Sequence, residues 1–306
     1  MFVVNPDFFL LPTYRISPFS TSSISIINHL ADDNYCDTYL DKKFNTTNWH
    51  YTINGREAIE FALSHYSLEK DDVVTILTTS GNAYISSCIT ETIEKFCNWN
   101  RLILPTTKLL FVNHEFGYPY PNMEELYSFN LPIIEDCCTT FFSQDDKSMI
   151  GKYGDFTIYS FPKFFPIQIG GVLVSNSEKK MKESQFIDDE QIKYIQKVVS
   201  FHLKNEEELL EKRSINFNYA LKKFLTLGFT LRFQQKQIIV PSVLLLNNNG
   251  VIEDLPALKT HFTNYGIQSS VFYGEDAFFI PNHQTLSTVD IDYIYNSLVV
   301  FINKKI

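Results

Sequence analysis

The chain has 306 residues, with 26 Lys and Arg against 35 Asp and Glu, a formal net charge of −9. That length buries a sizeable core as one large domain or two ordinary ones. A composition 44% hydrophobic and 20% charged excludes a largely disordered chain. The acidic balance argues against sequence-independent nucleic-acid binding, which needs a clustered basic face, so no nucleic-acid partner is expected.

Five cysteines stand at positions 36, 88, 97, 137 and 138. None forms a CxxC pair and the count is odd, so a reduced, cytoplasmic setting is expected. Met1–Leu11 lacks the charged start and continuous apolar stretch of a signal peptide. No apolar run approaches the roughly 18 residues of a membrane span, so no membrane partner is expected either.

Residues 1–50 read as an N-terminal arm, extended at first and then helical near Ile24–Leu30. From Asn54 the pattern sharpens. Ala58, Ile59, Ala62 and Leu63 recur at helical spacing, and Val73–Leu77 is a short apolar run of the kind that forms a buried strand. A helix is predicted at about Ser86–Phe96, a strand at Leu109–Val112, a short helix at Met123–Phe129 and a strand at Leu131–Ile134. Phe156–Phe161 and Gly171–Ser175 read as two further strands, and residues 178–226 as mainly helical. Gln237–Val243 reads as a β run, followed by a loop signal at Asn247–Gly250. Ile252–Tyr265 is a predicted helix ended by Gly266, and Asp290–Ile302 a last helix capped by Ser287 or Thr288. Strands alternating with helices predict an α/β fold with a mostly parallel sheet. The expected division is a large α/β domain over 51–214 and a smaller α+β domain over 215–306.

Three segments carry the chemistry. Asn54-Gly55-Arg56-Glu57 is a glycine turn opening a helix, whose free amides and dipole suit a phosphate, although most such turns are only turns. Ile133-Ile134-Glu135-Asp136 places a carboxylate at the end of an apolar strand, where parallel sheets bind ligands. Such an acid could pair with a protonated ring nitrogen, or merely serve as the N-cap of a helix after the strand. Gly154–Lys163 sets a lysine in an apolar stretch ahead of Gly170-Gly171. Apolar surroundings would push a lysine's pKa down, as Schiff-base chemistry requires; the alternative is a snorkelling surface side chain.

Taken in this order, the segments resemble the DegT/DnrJ/EryC1/StrS family of sugar aminotransferases. The Gly55 turn is similar to its phosphate-binding turn. Phe111–Pro119, Ile133–Asp136 and Gly154–Lys163 are similar to its "VHLYGxP", "VIEDAAQ" and "GDIGCFSFHPTK" segments. The likeness spans residues 50–305 and is strongest over 50–175. It implies the fold-type-I architecture, pyridoxal 5′-phosphate (PLP) as cofactor, and a homodimer. It further implies transfer of an amino group, from glutamate, to a keto-sugar, expected to be nucleotide-linked, in surface-polysaccharide or amino-sugar biosynthesis.

The resemblance assigns Lys163 as the Schiff-base lysine and Asp136 as partner of the pyridine nitrogen. It assigns Gly55, Arg56 and Glu57 of the turn, with Ser160, to the phosphate. Arg56 could instead contact substrate or face solvent. Thr139 stands where the family's glutamine meets the cofactor's phenolic oxygen. Tyr84 is a candidate ring-stacking residue or ordinary packing. His114 and His283 are candidates for lining the substrate side, and no metal site is suggested by the remaining histidines. The chain departs from the family in Cys137-Cys138, in a Ser160-to-Lys163 spacing two residues short that predicts a tighter turn, and in an abbreviated stretch after Ser177. These shortenings motivate an alternative: a non-catalytic relative that binds PLP or a sugar nucleotide in a regulatory or scaffold role.

Overall fold

A computed structural model describes residues 12–177, 181, 187–272 and 274–303. The extended start of the arm and most of the abbreviated stretch after Ser177 lie outside the described residues. In chain order the elements begin with α1 (Thr21–Asn28), α2 (Tyr35–Phe44), β1 (Trp49–Thr52), α3 (Gly55–Leu63), β2 (Val73–Thr78) and α4 (Ser87–Ile93). They continue with β3 (Asn98–Asn100), β4 (Thr107–Asn113), β5 (Ile133–Asp136), β6 (Phe156–Ser160) and β7 (Gly171–Ser175). The remainder is α5 (Asp189–Lys204), α6 (Glu206–Leu225), β8 (Thr230–Leu231), β9 (Val243–Asn247), α7 (Leu255–Asn264), β10 (Ser270–Val271), β11 (Ala277–Pro281) and α8 (Thr288–Asn303).

Seven strands form the large sheet in the order β1-β7-β6-β5-β4-β2-β3. The ladders from β3 through β6 are parallel, and β7 is antiparallel to both its neighbours, so the expected mostly parallel α/β sheet is borne out. Its central strands are apolar runs because both faces are covered. On one side Leu110 and Val112 join a core with Phe161, Phe165 and Leu40 of α2. On the other, Ala58, Ile59 and Ala62 of α3 meet Val74, Ile76 and Phe111. Each fully buried large apolar side chain contributes about 1.5–3 kcal/mol. A second, four-stranded sheet, β10-β11-β9-β8, packs with α6, α7 and α8 around a separate core.

α6 is a single unbroken helix through residues 214 and 215, with Leu209 in the first core and Phe217 in the core of the second sheet. Gly266, at φ +70°, ends α7 in a conformation that favours glycine. Ser287 caps α8: its hydroxyl accepts from the Asp290 N–H at 3.2 Å, and the Asp290 carboxylate accepts the Ser287 N–H at 2.7 Å.

One expected strand is displaced. Gln237–Ser242 makes no ladder, and the strand is Val243–Asn247. Pro241 has no amide to offer a neighbour. The flanking backbone bonds elsewhere: the Gln144 N–H donates to the Ile238 carbonyl at 3.0 Å and the Val240 N–H to Ser143 Oγ at 3.0 Å.

Candidate active site

The C-terminal ends of β4, β5 and β6 and the N-terminus of α3 face one cavity of about 570 Å³. Its walls include Gly55, Arg56, Tyr84, Asp136, Thr139, Ser160 and Lys163, so seven of the residues singled out in the sequence meet there. The second sheet and the arm close it with Ser242, Gln268, Phe279 and Ile16.

Asp136 ends β5 and is 4% exposed. Its Oδ2 accepts from Asn113 Nδ2 at 2.6 Å, and its Oδ1 from the Cys138 N–H at 3.0 Å. These bonds fix the carboxylate at the cavity floor. Lys163 ends a one-turn 3₁₀ segment, Phe161–Lys163, the tight turn the spacing predicts. Phe161, Phe164 and Phe165 are buried, whereas Lys163 is exposed on the cavity side. The expectation of an apolar pocket around the amine is therefore corrected: the turn directs the neighbouring rings inward and the lysine toward the open cavity.

The α3 terminus forms the opposite wall. A Cβ on Gly55 would lie 2.9 Å from Cys138 Sγ and 3.4 Å from Ser160 Cβ, so the backbone comes as close as only glycine permits. Ser160 Oγ lies 3.8 Å from the same point. Two assignments on this wall are corrected. The Glu57 N–H donates to Asn54 Oδ1 at 3.0 Å, and its carboxylate accepts the Ile53 N–H, so Glu57 caps its own helix and does not line the cavity. Thr139 lines the cavity, but its hydroxyl donates to the His114 carbonyl at 2.8 Å, so that proton is committed to the backbone.

Arg56 sits exposed at the rim. Its Nη2 is 3.1 Å from Cys88 Sγ and 3.7 Å from Glu91 Oε2, both from α4. Tyr84 lines the cavity and also packs in an aromatic cluster, 4.8 Å from Phe272 and 6.1 Å from Phe116 by ring centroids.

The two histidines are not on the cavity wall. His114 is fully buried: its Nδ1 accepts from the Tyr120 N–H at 2.9 Å, and its Nε2 lies 3.2 Å from Glu135 Oε2. Glu135 points to the face opposite Asp136, as alternation along β5 requires. There Glu135 also accepts the N–H groups of Gly151, Tyr153 and Gly154 at 3.0, 2.6 and 2.7 Å. His114, Glu135 and Cys137 group within 4.8 Å of one another. Both His114 nitrogens are already bonded there, and burial pushes the Cys137 thiol well above its ordinary pKa. His283 is buried beside the arm, with Nε2 donating to the Arg15 carbonyl at 2.9 Å, and burial lowers its pKa to about 3.

Sequence reasoning missed several wall residues. Asn113 ends β4 as Asp136 ends β5, and the same strand-end argument applied to β4 finds it. Glu115 and Ser242 carry no local signal. Glu115 is 3% exposed and accepts the Ser80 N–H at 2.9 Å; burial raises its pKa. Ser242 is 2% exposed, and its hydroxyl has no hydrogen-bond partner among the described residues.

The residues present fit PLP. A glycine-opened helix terminus and Ser160 suit its phosphate, Asp136 suits its ring nitrogen, and the Lys163 amine lies on the same cavity.

Residues 97–204 match the model of the DegT/DnrJ/EryC1/StrS aminotransferase family, which bears out the resemblance over the span that carries Asp136, Ser160 and Lys163. The fold is similar to that of the aminotransferase TlmJ from Streptoalloteichus hindustanus, at 13% identity and a TM-score of 0.73, covering 94% of this chain and 99% of that one. It is also similar to the sugar aminotransferase CalS13 from Micromonospora echinospora, at 14% identity and a TM-score of 0.67, covering 94% and 99%. NtdA from Bacillus subtilis, solved with bound cofactor PMP, matches at 16% identity and a TM-score of 0.68, covering 98% and 86%. No curated protein sequence matches the chain. The expected architecture is borne out as a fold: a large, mostly parallel sheet with the chain path of these solved aminotransferases.

Proposed function

We propose, from the match of residues 97–204 to an aminotransferase family, that this chain is a PLP-dependent aminotransferase acting on a keto-sugar, nucleotide-linked, with glutamate as donor. The observation that carries the reading is the convergence of Lys163, Asp136, Ser160 and the glycine-opened end of α3 on one cavity. The bound cofactor would supply an electron sink for charge that develops at the reacting carbon. Asp136, oriented by Asn113 and the Cys138 amide, would hold the proton on the ring nitrogen. Ser160 and the amides of Gly55 and Arg56 would hold the phosphate. The Lys163 amine would bond the cofactor at rest and, once free, take and return the proton at the reacting carbon.

A homodimer in the cytoplasm is part of the same proposal. All five cysteines are free, in keeping with a reducing compartment, and no helix among the described residues is long and apolar enough to cross a membrane. Absorbance after addition of PLP tests the reading. A visible band that L-glutamate converts to the near-ultraviolet form, and that is absent from Lys163→Ala, supports it. A wild-type protein that binds no PLP contradicts it.

A further inference from the structure

Arg213 is the largest fully buried side chain among the described residues, 1% exposed, in the stretch of α6 that joins the two cores. No carboxylate pairs with it among the described residues. Burial lowers its pKa to about 9. A buried cation without a counter-ion is costly, so its remaining contacts show what it holds.

Those contacts lead to the reactive turn. Arg213 Nη1 donates to Gln284 Oε1 at 2.9 Å, and Nη2 donates to the carbonyls of Pro241 and Asn282 at 3.3 and 3.2 Å. Gln284 turns its amide the other way, and Nε2 donates to the Phe164 carbonyl at 2.8 Å. The guanidinium also lies over the Phe164 ring, 4.8 Å from its centroid. Phe164 directly follows Lys163 and closes its turn, with its N–H donating to the Phe161 carbonyl at 3.0 Å. Arg213 and Gln284 together therefore grip both the ring and the carbonyl of the residue beside the lysine. The gripping segment is itself fixed, because Asn216, one turn along α6, donates to the carbonyls of His283 and Leu286 at 2.9 and 2.8 Å.

We propose that Arg213, acting through Gln284, is a positioning residue for Lys163: it sets the turn so that the amine points into the cavity. The guanidinium fork suits this task because it spans three oxygens and stacks on a ring at once, which a lysine cannot do. The inference rests on Lys163 being the cofactor-bonding residue, and the test separates the two ideas.

The test compares wild type with Gln284→Ala, Arg213→Lys, Arg213→Met and the Gln284→Ala/Arg213→Met pair, each with added PLP. It reads the rate at which borohydride-stable label appears on the Lys163 peptide by mass spectrometry, the pH midpoint of the absorbance band, and the thermal melt. Loosening the lysine slows labelling roughly tenfold to hundredfold and moves the band midpoint. This is expected in Gln284→Ala, which keeps the buried cation and a folded protein. Arg213→Lys behaves alike, and the double variant is no slower than Arg213→Met, because both groups act through one link. A purely structural role lowers the melt but leaves the labelling rate and the midpoint at wild-type values, which overturns the proposal. Arg213→Met that does not fold, beside a Gln284→Ala that labels normally, overturns it equally. If wild type itself takes no label at Lys163, the proposed function fails first.

Discussion

Asn113 Nδ2 lies 2.6 Å from Asp136 Oδ2, across the neighbouring ends of the parallel strands β4 and β5. The two residues are paired in the sheet register, so the bond is set by the ladder and not by loop geometry. Removing it leaves the Asp136 carboxylate held by Cys138, whose amide donates to Oδ1 at 3.0 Å. A hydrogen bond to a charged group is worth about 1.5–3 kcal/mol. Asn113→Ala is therefore expected to weaken PLP binding by roughly one to two powers of ten with the fold intact, read by absorbance titration beside a thermal melt.

Gly55→Ala tests the close approach at α3. The new methyl meets Cys138 Sγ at 2.9 Å, while Ser160 Cβ at 3.4 Å is ordinary contact. Loss of PLP affinity is expected in the single variant, with partial recovery in Gly55→Ala/Cys138→Ala, where the sulfur is gone. Equal losses in both would show that the glycine matters for some other reason.

Ser242 is one of the residues lining the cavity, and its hydroxyl is buried without a partner among the described residues. Such a group costs about 1–3 kcal/mol in the free protein. Ser242→Ala is expected to leave the melting temperature unchanged or raise it by about 2 °C. Once the acceptor substrate is known, the same change should raise its KM while leaving the glutamate half-reaction unaltered. A clearly lower melting temperature contradicts this assignment.

Acid should destabilise the protein in a window set by His283. Burial lowers its folded pKa to about 3, against an ordinary value of 6.5. Between those values the unfolded chain binds a proton that the folded one does not, so stability falls as pH drops below 6.5. The slope is at most about 1.4 kcal/mol per pH unit from this group. His283→Gln is expected to flatten that limb in urea melts between pH 6.5 and 4. An unchanged limb would assign it to other groups, such as His202, whose pKa burial lowers to about 4.

The large sheet was legible where the residues declare their environment. Val73–Thr78 and Gly171–Ser175 are apolar because both faces are covered, and Asp136 and Ser160 stand out by ending such runs. The edge strand β1 was not legible: Trp49–Thr52 alternates aromatic and polar residues in only four positions, and its partner β7 is far along the chain. Within the site, identity was easier to read than direction. Glu135 lies next to a cavity residue in sequence, yet the two-residue period of β5 sends it to the opposite face, where His114, just past the end of β4, bonds to it. Glu57 sits in the correct turn but spends its groups on the cap. Ser242, Gln268 and Phe279 come from the second sheet and its surroundings, more than 75 residues beyond Lys163, and no local pattern relates them to it.

Whether Lys163 is the residue that bonds the cofactor decides the functional reading. The most direct measurement is borohydride reduction of the wild-type protein with PLP, followed by peptide mapping. One stable modification is predicted, on the peptide bearing Lys163, and none at that position in Lys163→Ala. Modification of a different lysine in wild type, or none at any lysine, would contradict it.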